Sequence, residues 1–458
     1  MSENAVKKAI SFTDEQQEAI DVRDADVLVS AAAGSGKTAV LAERIVRLVS
    51  EGEDPVDIDR ILVVTFTRAA AAGMRERIGR ALSERIRSHP SDARLRHQEM
   101  LLPHAKIMTI DAFCQYLLRN SFASIGLDPS FRVSDGGEMQ LLESEVLQGL
   151  LEELYRDAAE NGGSVFPDLA ECISEGSTDR RLEKEILELY RFAQSMPWPA
   201  LWLKTYRERA EREQAASLNE LSWCSGLYDR ILKELECAIG ELQEALAIAS
   251  SPGGPGMYCD TITNDIEILR RLCASEDLQT LLEQLAPGKA LFGRLPQCKS
   301  KEVDPARKDQ AMALRNGAKD AVGYNSERYW SVPPEVLLQD ERRAARTAAE
   351  LIRVTALFLE RMEAAKHDAN IVDFPDMEHL ALRILAVEPE DLKDAFRPVP
   401  TDTAKEYAAY FREIMIDEYQ DSNYVQELIL QLIAGDRHDR FMQHEVAAFL
   451  FGNGLGMV

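Results

Sequence analysis

Apolar and polar positions follow two different rhythms along this chain. Short runs rich in Val and Ile occur at 26–30 (DVLVS), 61–67 (ILVVTFT), 106–110 (KIMTI) and 413–417 (EIMID). Runs of that length and composition predict buried strands. Helical spacing follows the first three, over Lys37–Ser50, Ala69–Arg87 and Asp111–Ser121. Strand, turn and helix repeated in this way predict a parallel sheet flanked by helices. The fourth run comes about 300 residues after the third. The stretch between them, 126–370, has long amphipathic patterns, among them Glu138–Arg156, Leu182–Ser195 and Tyr228–Ala249, and few strand signals. Turn-rich segments interrupt it at Ser250–Met257 (SSPGGPGM) and Ser331–Glu335 (SVPPE). The expectation is an α/β fold whose sheet domain, 1–125 and 371–440, is split by an all-helical insertion, 126–370. Residues 441–458 form a separate tail.

The sharpest chemical signal is Ala31-Ala32-Ala33-Gly34-Ser35-Gly36-Lys37-Thr38, between the first strand pattern and the first helix pattern. Backbone N–H groups that bind phosphate must approach it closely, and Gly34 and Gly36 lack the Cβ that would obstruct them. The N-terminus of the following helix adds a favourable dipole. Lys37 supplies a point charge for the β- and γ-phosphates, and the Thr38 hydroxyl can ligate Mg2+. Ala31 stands where the general phosphate-loop pattern has its first glycine. A chance glycine-rich turn is the alternative, and the flanking strand and helix patterns weigh against it. This stretch marks a nucleoside triphosphate site.

Such a site needs a metal-binding acid and a group that activates water. Asp417 and Glu418 follow the last strand pattern, at a strand end where side chains emerge toward a ligand. Asp417 would hold Mg2+, and Glu418 would orient and deprotonate the attacking water. An acidic turn after a buried strand is the plainer alternative for the pair taken alone.

Composition narrows the class. The net charge of −25 excludes a protein that is basic throughout. Yet Arg60 to Arg119 holds eleven basic and five acidic residues, a local surplus that suits contact with a phosphate backbone, a solvated helix face being the plainer alternative. No apolar run reaches the length of a membrane span, and Met1 to Ser11 lacks the apolar segment of a secretory signal, so cytoplasm is expected. Seven cysteines stand singly with no CxxC pair, as in a reduced cytosolic protein; a zinc or iron–sulfur site is the alternative.

The motifs resemble those of the UvrD/Rep-type superfamily 1 DNA helicases. Asp417-Glu-Tyr-Gln-Asp-Ser-Asn423 is similar to their motif II, and Ala31 to Thr38 to their motif I. Phe12-Thr-Asp-Glu-Gln16-Gln-Glu-Ala-Ile20 is similar to the Q motif, which implies that Gln16 reads the adenine of ATP. Val64 to Arg75 resembles motif Ia, with Arg68 where the family commonly has Asn. Met108 to Cys114 resembles motif Ib, with Asp111 in place of the commoner His. These two motifs imply DNA contacts by Thr65, Phe66, Thr67, Arg68, Thr109 and Phe113. The hydroxyls would meet phosphates, and the two rings would stack on bases, with core packing as the alternative. Within the family, Leu127–Asp135, Phe166–Leu169, Ser195–Pro199 and Asp373–His379 look like AddA-type helicase–nuclease subunits.

The resemblance implies a RecA-like P-loop domain, ATP-dependent DNA unwinding, end resection in double-strand-break repair and an AddB-type partner subunit. Motif III, motifs IV to VI and a nuclease domain are not found in the 458 residues. The stretch from Gln443 to Val458 matches nothing in the family pattern, and a truncated or frame-shifted product is expected, with a natural short homologue as the alternative. Two rival functions stay open: a non-translocating ATP- and single-strand-binding fragment, and a P-loop ATPase with no nucleic-acid role.

Overall fold

The computed structural model describes residues 12–435, apart from 24, 26, 31–33, 175–177, 213–216, 222, 286–290, 299–301 and 330–332. Ala31, Ala32, Ala33, the start of the Ser331–Glu335 turn and the 441–458 tail lie outside the described residues. The chain is mostly helical and carries a small parallel sheet.

The first helices are α1 (Asp14–Asp21), α2 (Lys37–Ser50), α3 (Arg68–Ser88), α4 (Ala93–Leu101) and α5 (Ile110–Ser121). Between and after them run strands β1 (Ile61–Thr65) and β2 (Lys106–Thr109). Then come β3 (Arg132–Val133), α6 (Gly136–Asn161), α7 (Phe166–Ile173), α8 (Arg180–Gln194), α9 (Pro199–Arg212) and α10 (Cys224–Ser250). They are followed by α11 (Cys259–Cys273), α12 (Leu278–Leu285), α13 (Pro305–Tyr329) and α14 (Pro334–Asp368). The last elements are β4 (Ile371–Val372), α15 (Phe374–Leu385), β5 (Ala386–Val387), β6 (Val399–Pro400), α16 (Asp402–Tyr410), β7 (Glu413–Ile416) and α17 (Tyr424–Ala434).

The main sheet has the order β2-β1-β7, all parallel, so the strand at 413–416 lies beside the strand at 61–65 despite their separation in sequence. Every residue of β1 is buried, which is why its run is apolar without alternation. Leu62 and Val64 face one core with Phe113, Leu117, Leu382 and Ile429, from α5, α15 and α17. Ile61 and Val63 face the other, with Ile45, Met74 and Ile78 from α2 and α3. A second small pairing, β3 with β4, is also parallel, and Asn370 Nδ2 donates to Ser130 Oγ across 240 residues of chain. The chain therefore leaves and returns at one place.

One expected strand, at 26–30, is not found among the described residues. Residues 27–30 form no strand, and Val27, Leu28 and Val29 are exposed. The Val-Leu-Val pattern favours extended backbone, but a strand also needs a neighbour for its N–H and C=O groups. Among the described residues β7 pairs only with β1, and no strand is added beyond it.

The chain divides into two compact units, 1–162 with 174–205 and 354–458, and 163–173 with 206–353. The first contains the sheet. The second is helical, with Ile231, Leu235, Ile262, Leu269 and Leu281 in its core. Inside it Arg315 Nε donates to Asp265 Oδ2 at 2.7 Å, both side chains almost fully buried.

Candidate functional site

Gly34 and Gly36 have φ of +82° and +89°, a left-handed backbone that residues with a Cβ rarely adopt. Gly36 is the N-cap of α2, so Lys37 and Thr38 open the helix and its unsatisfied N–H groups face the loop. The loop is fastened from α1. Gln16 Nε2 donates to the Ser35 carbonyl at 2.9 Å, while Gln16 Oε1 accepts from the Thr13 N–H at 2.9 Å in a capping box. Both polar atoms of the expected adenine-reading amide are thus engaged within the protein.

Asp417 stands one residue past β7, its N–H donating to the Val64 carbonyl at 2.9 Å. Burial, reinforced by the charge of Glu418, pushes its carboxyl above the ordinary range, and Lys37 opposes this. Glu418 Oε2 lies 3.6 Å from Lys37 Nζ and accepts from Gln420 Nε2 at 2.5 Å. The Gln420 contact and then the Lys37 charge hold its carboxyl below the ordinary range. Its backbone is left-handed, φ 60° and ψ 49°, shared among non-glycine described residues only with Asn370. The fold brings Lys37, Asp417 and Glu418 together at the carboxyl end of the sheet.

The same edge carries the other candidates, because Thr65 is in register with Thr109 and Val64 with Ile416. Thr67 and Thr109 are N-caps, their hydroxyl oxygens accepting from the N–H groups of Ala70 and Ala112. Buried Thr65 donates its hydroxyl to the Thr67 carbonyl. Phe66 is 63% exposed, with its ring open to solvent. Phe113 is not: it is fully buried against Tyr116, Tyr407 and Phe411, so its expected stacking face belongs to the core. The physical reason is helix phase, since Phe113 shares the inward face of α5 with Ile110, Cys114 and Leu117. The basic island is also partly consumed. Arg75 donates to the Ala105 and Ile107 carbonyls, Arg85 to Glu43, Ser50 and Glu51, and Arg94 to the Val49 and Pro55 carbonyls. Arg68, Arg77 and Arg87 are exposed.

Residues 12–443 match the UvrD/REP helicase N-terminal domain. The chain belongs to that family. It is 42% identical over 427 residues to an ATP-dependent helicase/nuclease subunit of Lachnoclostridium phytofermentans, covering 93% of this chain and 30% of the relative. Proteins of the same name from Desulforamulus reducens and Bacillus licheniformis are each 38% identical, over 96% and 94% of this chain and 35% and 34% of theirs. The chain spans about a third of the length of these relatives.

In this UvrD/REP domain the candidate site has supports that the motifs do not include. Arg44 is almost fully buried, donates to the Ala19 and Val22 carbonyls, and lies 3.7 Å from Glu413, so one guanidinium ties α1, α2 and β7 together. Glu378 of α15 accepts from Asn423, the last residue of motif II, and from Gln426 just after it. The available sequence signal was a charge at a core-facing position: Glu378 follows buried Met377 and precedes buried Ala381 and Leu382 on the same helix.

Proposed function

We propose that this chain forms the ATP-binding portion of an AddA-type, ATP-dependent DNA helicase–nuclease subunit. Its architecture is a RecA-like parallel-sheet domain, 1–125 and 371–440, interrupted by a helical insertion, 126–370. The observation that carries this is the convergence of a left-handed Gly34/Gly36 loop, Lys37, Asp417 and Glu418 at one sheet edge. Loop N–H groups from Ala31 to Thr38 bind the phosphates, and Lys37 neutralises them. Glu418 accepts the proton of the attacking water, and Gln16 faces the adenine.

Mg2+ fits here as a companion of the nucleotide. Among the described residues no cluster of three or more His, Cys, Asp and Glu could hold a metal alone. Burial raises the Asp417 carboxyl, so a cation beside it would favour its charged form, and Thr38 stands at the start of α2. Bound Mg2+ supplies charge neutralisation on the β- and γ-phosphates.

Motifs Ia and Ib share the strand edge with the nucleotide site, so the exposed Phe66, Thr67 and Arg68 form the DNA-facing side, with the buried Thr65 and Thr109 shaping the strand ends behind them. The whole-protein setting is unwinding and end resection in double-strand-break repair, with an AddB-type partner, in the cytoplasm. No helix among the described residues is long and apolar enough to cross a membrane.

Titration calorimetry with a non-hydrolysable ATP analogue and Mg2+ tests the proposal. The wild type should bind and Lys37→Ala should lose at least about tenfold in affinity, since charge-assisted contacts are worth about 1.5–3 kcal/mol. Equal affinity in the two would sink the phosphate-loop assignment.

A further inference from the structure

We propose that Glu378 is a positioning residue for the Asp417–Glu418 segment, acting by bridging the two side-chain amides that fix the turn behind it. The inference rests on the nucleotide function proposed above.

Glu378 occupies an apolar setting on α15 and is only 8% exposed. An ionised carboxylate is costly there unless its oxygens are bonded. They are: Oε2 accepts from Asn423 Nδ2 at 2.9 Å and Oε1 from Gln426 Nε2 at 2.6 Å. Those two amides form the capping box of α17. Asn423 Oδ1 accepts from the Gln426 N–H at 2.9 Å, and Gln426 Oε1 accepts from the Asn423 N–H. Each amide therefore spends its oxygen on the cap and its nitrogen on Glu378. The carboxylate, an acceptor on both oxygens, dictates which way both amides point.

The segment so fixed is short. Glu418 leads directly into a single tight turn, Tyr419–Asp421, closed by Asp421 N–H to the Glu418 carbonyl at 3.0 Å and Ser422 N–H to the Tyr419 carbonyl at 3.1 Å. One end is held where the Asp417 N–H meets Val64 on β1, the other where Asn423 meets Glu378. A non-glycine residue keeps a left-handed backbone only when its surroundings over-determine it. These two anchors do so for Glu418. Burial, opposed by the two amides, raises the Glu378 carboxyl, and the nearby charges of Asp111 and Asp373 raise it further. A plain fastening would not need a carboxylate among other acids; the two facing N–H donors do.

Glu378→Gln keeps the size but sets one acceptor and one donor against two donors, so one amide must turn and release its cap. Adding Gln426→Glu restores every bond, with only the contact between 378 and 426 reversed in polarity: the carboxylate at 426 accepts from the Asn423 N–H and from the amide at 378, whose oxygen still accepts from Asn423 Nδ2. The full 458-residue chain is assayed for single-turnover Mg-ATP hydrolysis, nucleotide affinity and melting temperature. Glu378→Gln should hydrolyse about 10-fold more slowly with affinity within about 2-fold, and the double variant should return to within about 2-fold of wild type. If Glu378→Gln does not fold, Glu378→Asp, which keeps the charge but reaches one amide, should show a loss of about 3-fold. An unchanged hydrolysis rate in the single variants, with or without a lower melting temperature, overturns the inference, as does a double variant slower than Glu378→Gln. A wild type no faster than Lys37→Ala overturns the nucleotide function itself and the inference with it. Hydrolysis by the wild type that ignores Glu378 overturns the inference alone.

Discussion

Glu418 combines an exposed carboxylate, a cation 3.6 Å away and a strained backbone, a conjunction expected of a group that must meet a bound substrate at one angle. Glu418→Gln should therefore leave Mg-nucleotide affinity nearly unchanged and slow hydrolysis by about 10²–10⁴-fold, the usual worth of a general base. Parallel calorimetry and phosphate release check this; equal losses in both would make Glu418 a binding group. Gln16 is a sterner case, because its amide already bonds Ser35 and Thr13. If it also reads adenine, the wild type prefers ATP to GTP and Gln16→Ala narrows that preference. A variant that binds both nucleotides more weakly by the same factor would leave Gln16 only the work of holding the loop. Sequence reading could single out Lys37, Asp417 and Glu418 because the chemistry expected of them asks for fixed residue types in fixed patterns, and the fold brings Lys37 and Glu418 within 3.6 Å of each other. It could not distinguish Phe66 from Phe113, both aromatic and both in a motif, since only the rotation of α5 turns one of them inward.

Among elements, β1 was legible because a parallel strand buried along its whole length needs an unbroken apolar run, while the part-buried β2 and β7 showed themselves by short Ile- and Met-bearing runs. The 27–30 stretch carries the same pattern without a strand, because composition does not supply a hydrogen-bonding neighbour. The two-residue pairing of β3 with β4 is too short to leave a pattern, yet it closes the chain's long excursion. Beside it, Lys366 at the end of α14 is nearly buried and donates to Asp373 Oδ2 at 2.8 Å and Asp376 Oδ1 at 2.9 Å, the two acids of the α15 capping box. Burial pushes the Asp376 carboxyl up to about 6 against the pull of Lys366. A carboxyl raised in this way favours the fold below its unfolded value of about 4, and loses that contribution as pH rises through about 6. At neutral pH the cluster depends on the lysine. Lys366→Met should cost about 3–5 kcal/mol at about pH 7.5, the penalty of stranding buried charge. The cost should shrink below about pH 6 as Asp376 takes up a proton. Urea unfolding on either side of that value measures both, and an identical loss in acid and at neutral pH would remove the electrostatic account.

For the whole molecule, the strand-facing edge and the overall charge pull in opposite directions. A net charge of −25 repels DNA, while exposed Phe66 and Arg68 offer a ring and a cation beside the N-termini of α3 and α5. Several arginines of the basic island are spent inside the fold, so few phosphates can be engaged. The 458-residue polypeptide should bind single-stranded DNA weakly. With about three phosphates contacted, its affinity should fall with a log–log salt slope of about −2. Phe66→Ala should weaken binding by about 1–3 kcal/mol without changing that slope, because stacking releases no counterions. Arg68→Ala should make the slope shallower by about 0.7. Phe113→Ala should act elsewhere, costing about 3–5 kcal/mol of folding stability through the cavity it leaves. Strand displacement is not expected from this polypeptide alone, since one sheet edge provides one grip on the strand and stepping needs two that alternate. Fluorescence anisotropy across a salt series, urea unfolding and a displacement assay separate these effects. Phe66→Ala binding as tightly as wild type would take base stacking off this edge, and ATP-driven unwinding by the purified chain would show that it holds a second grip of its own.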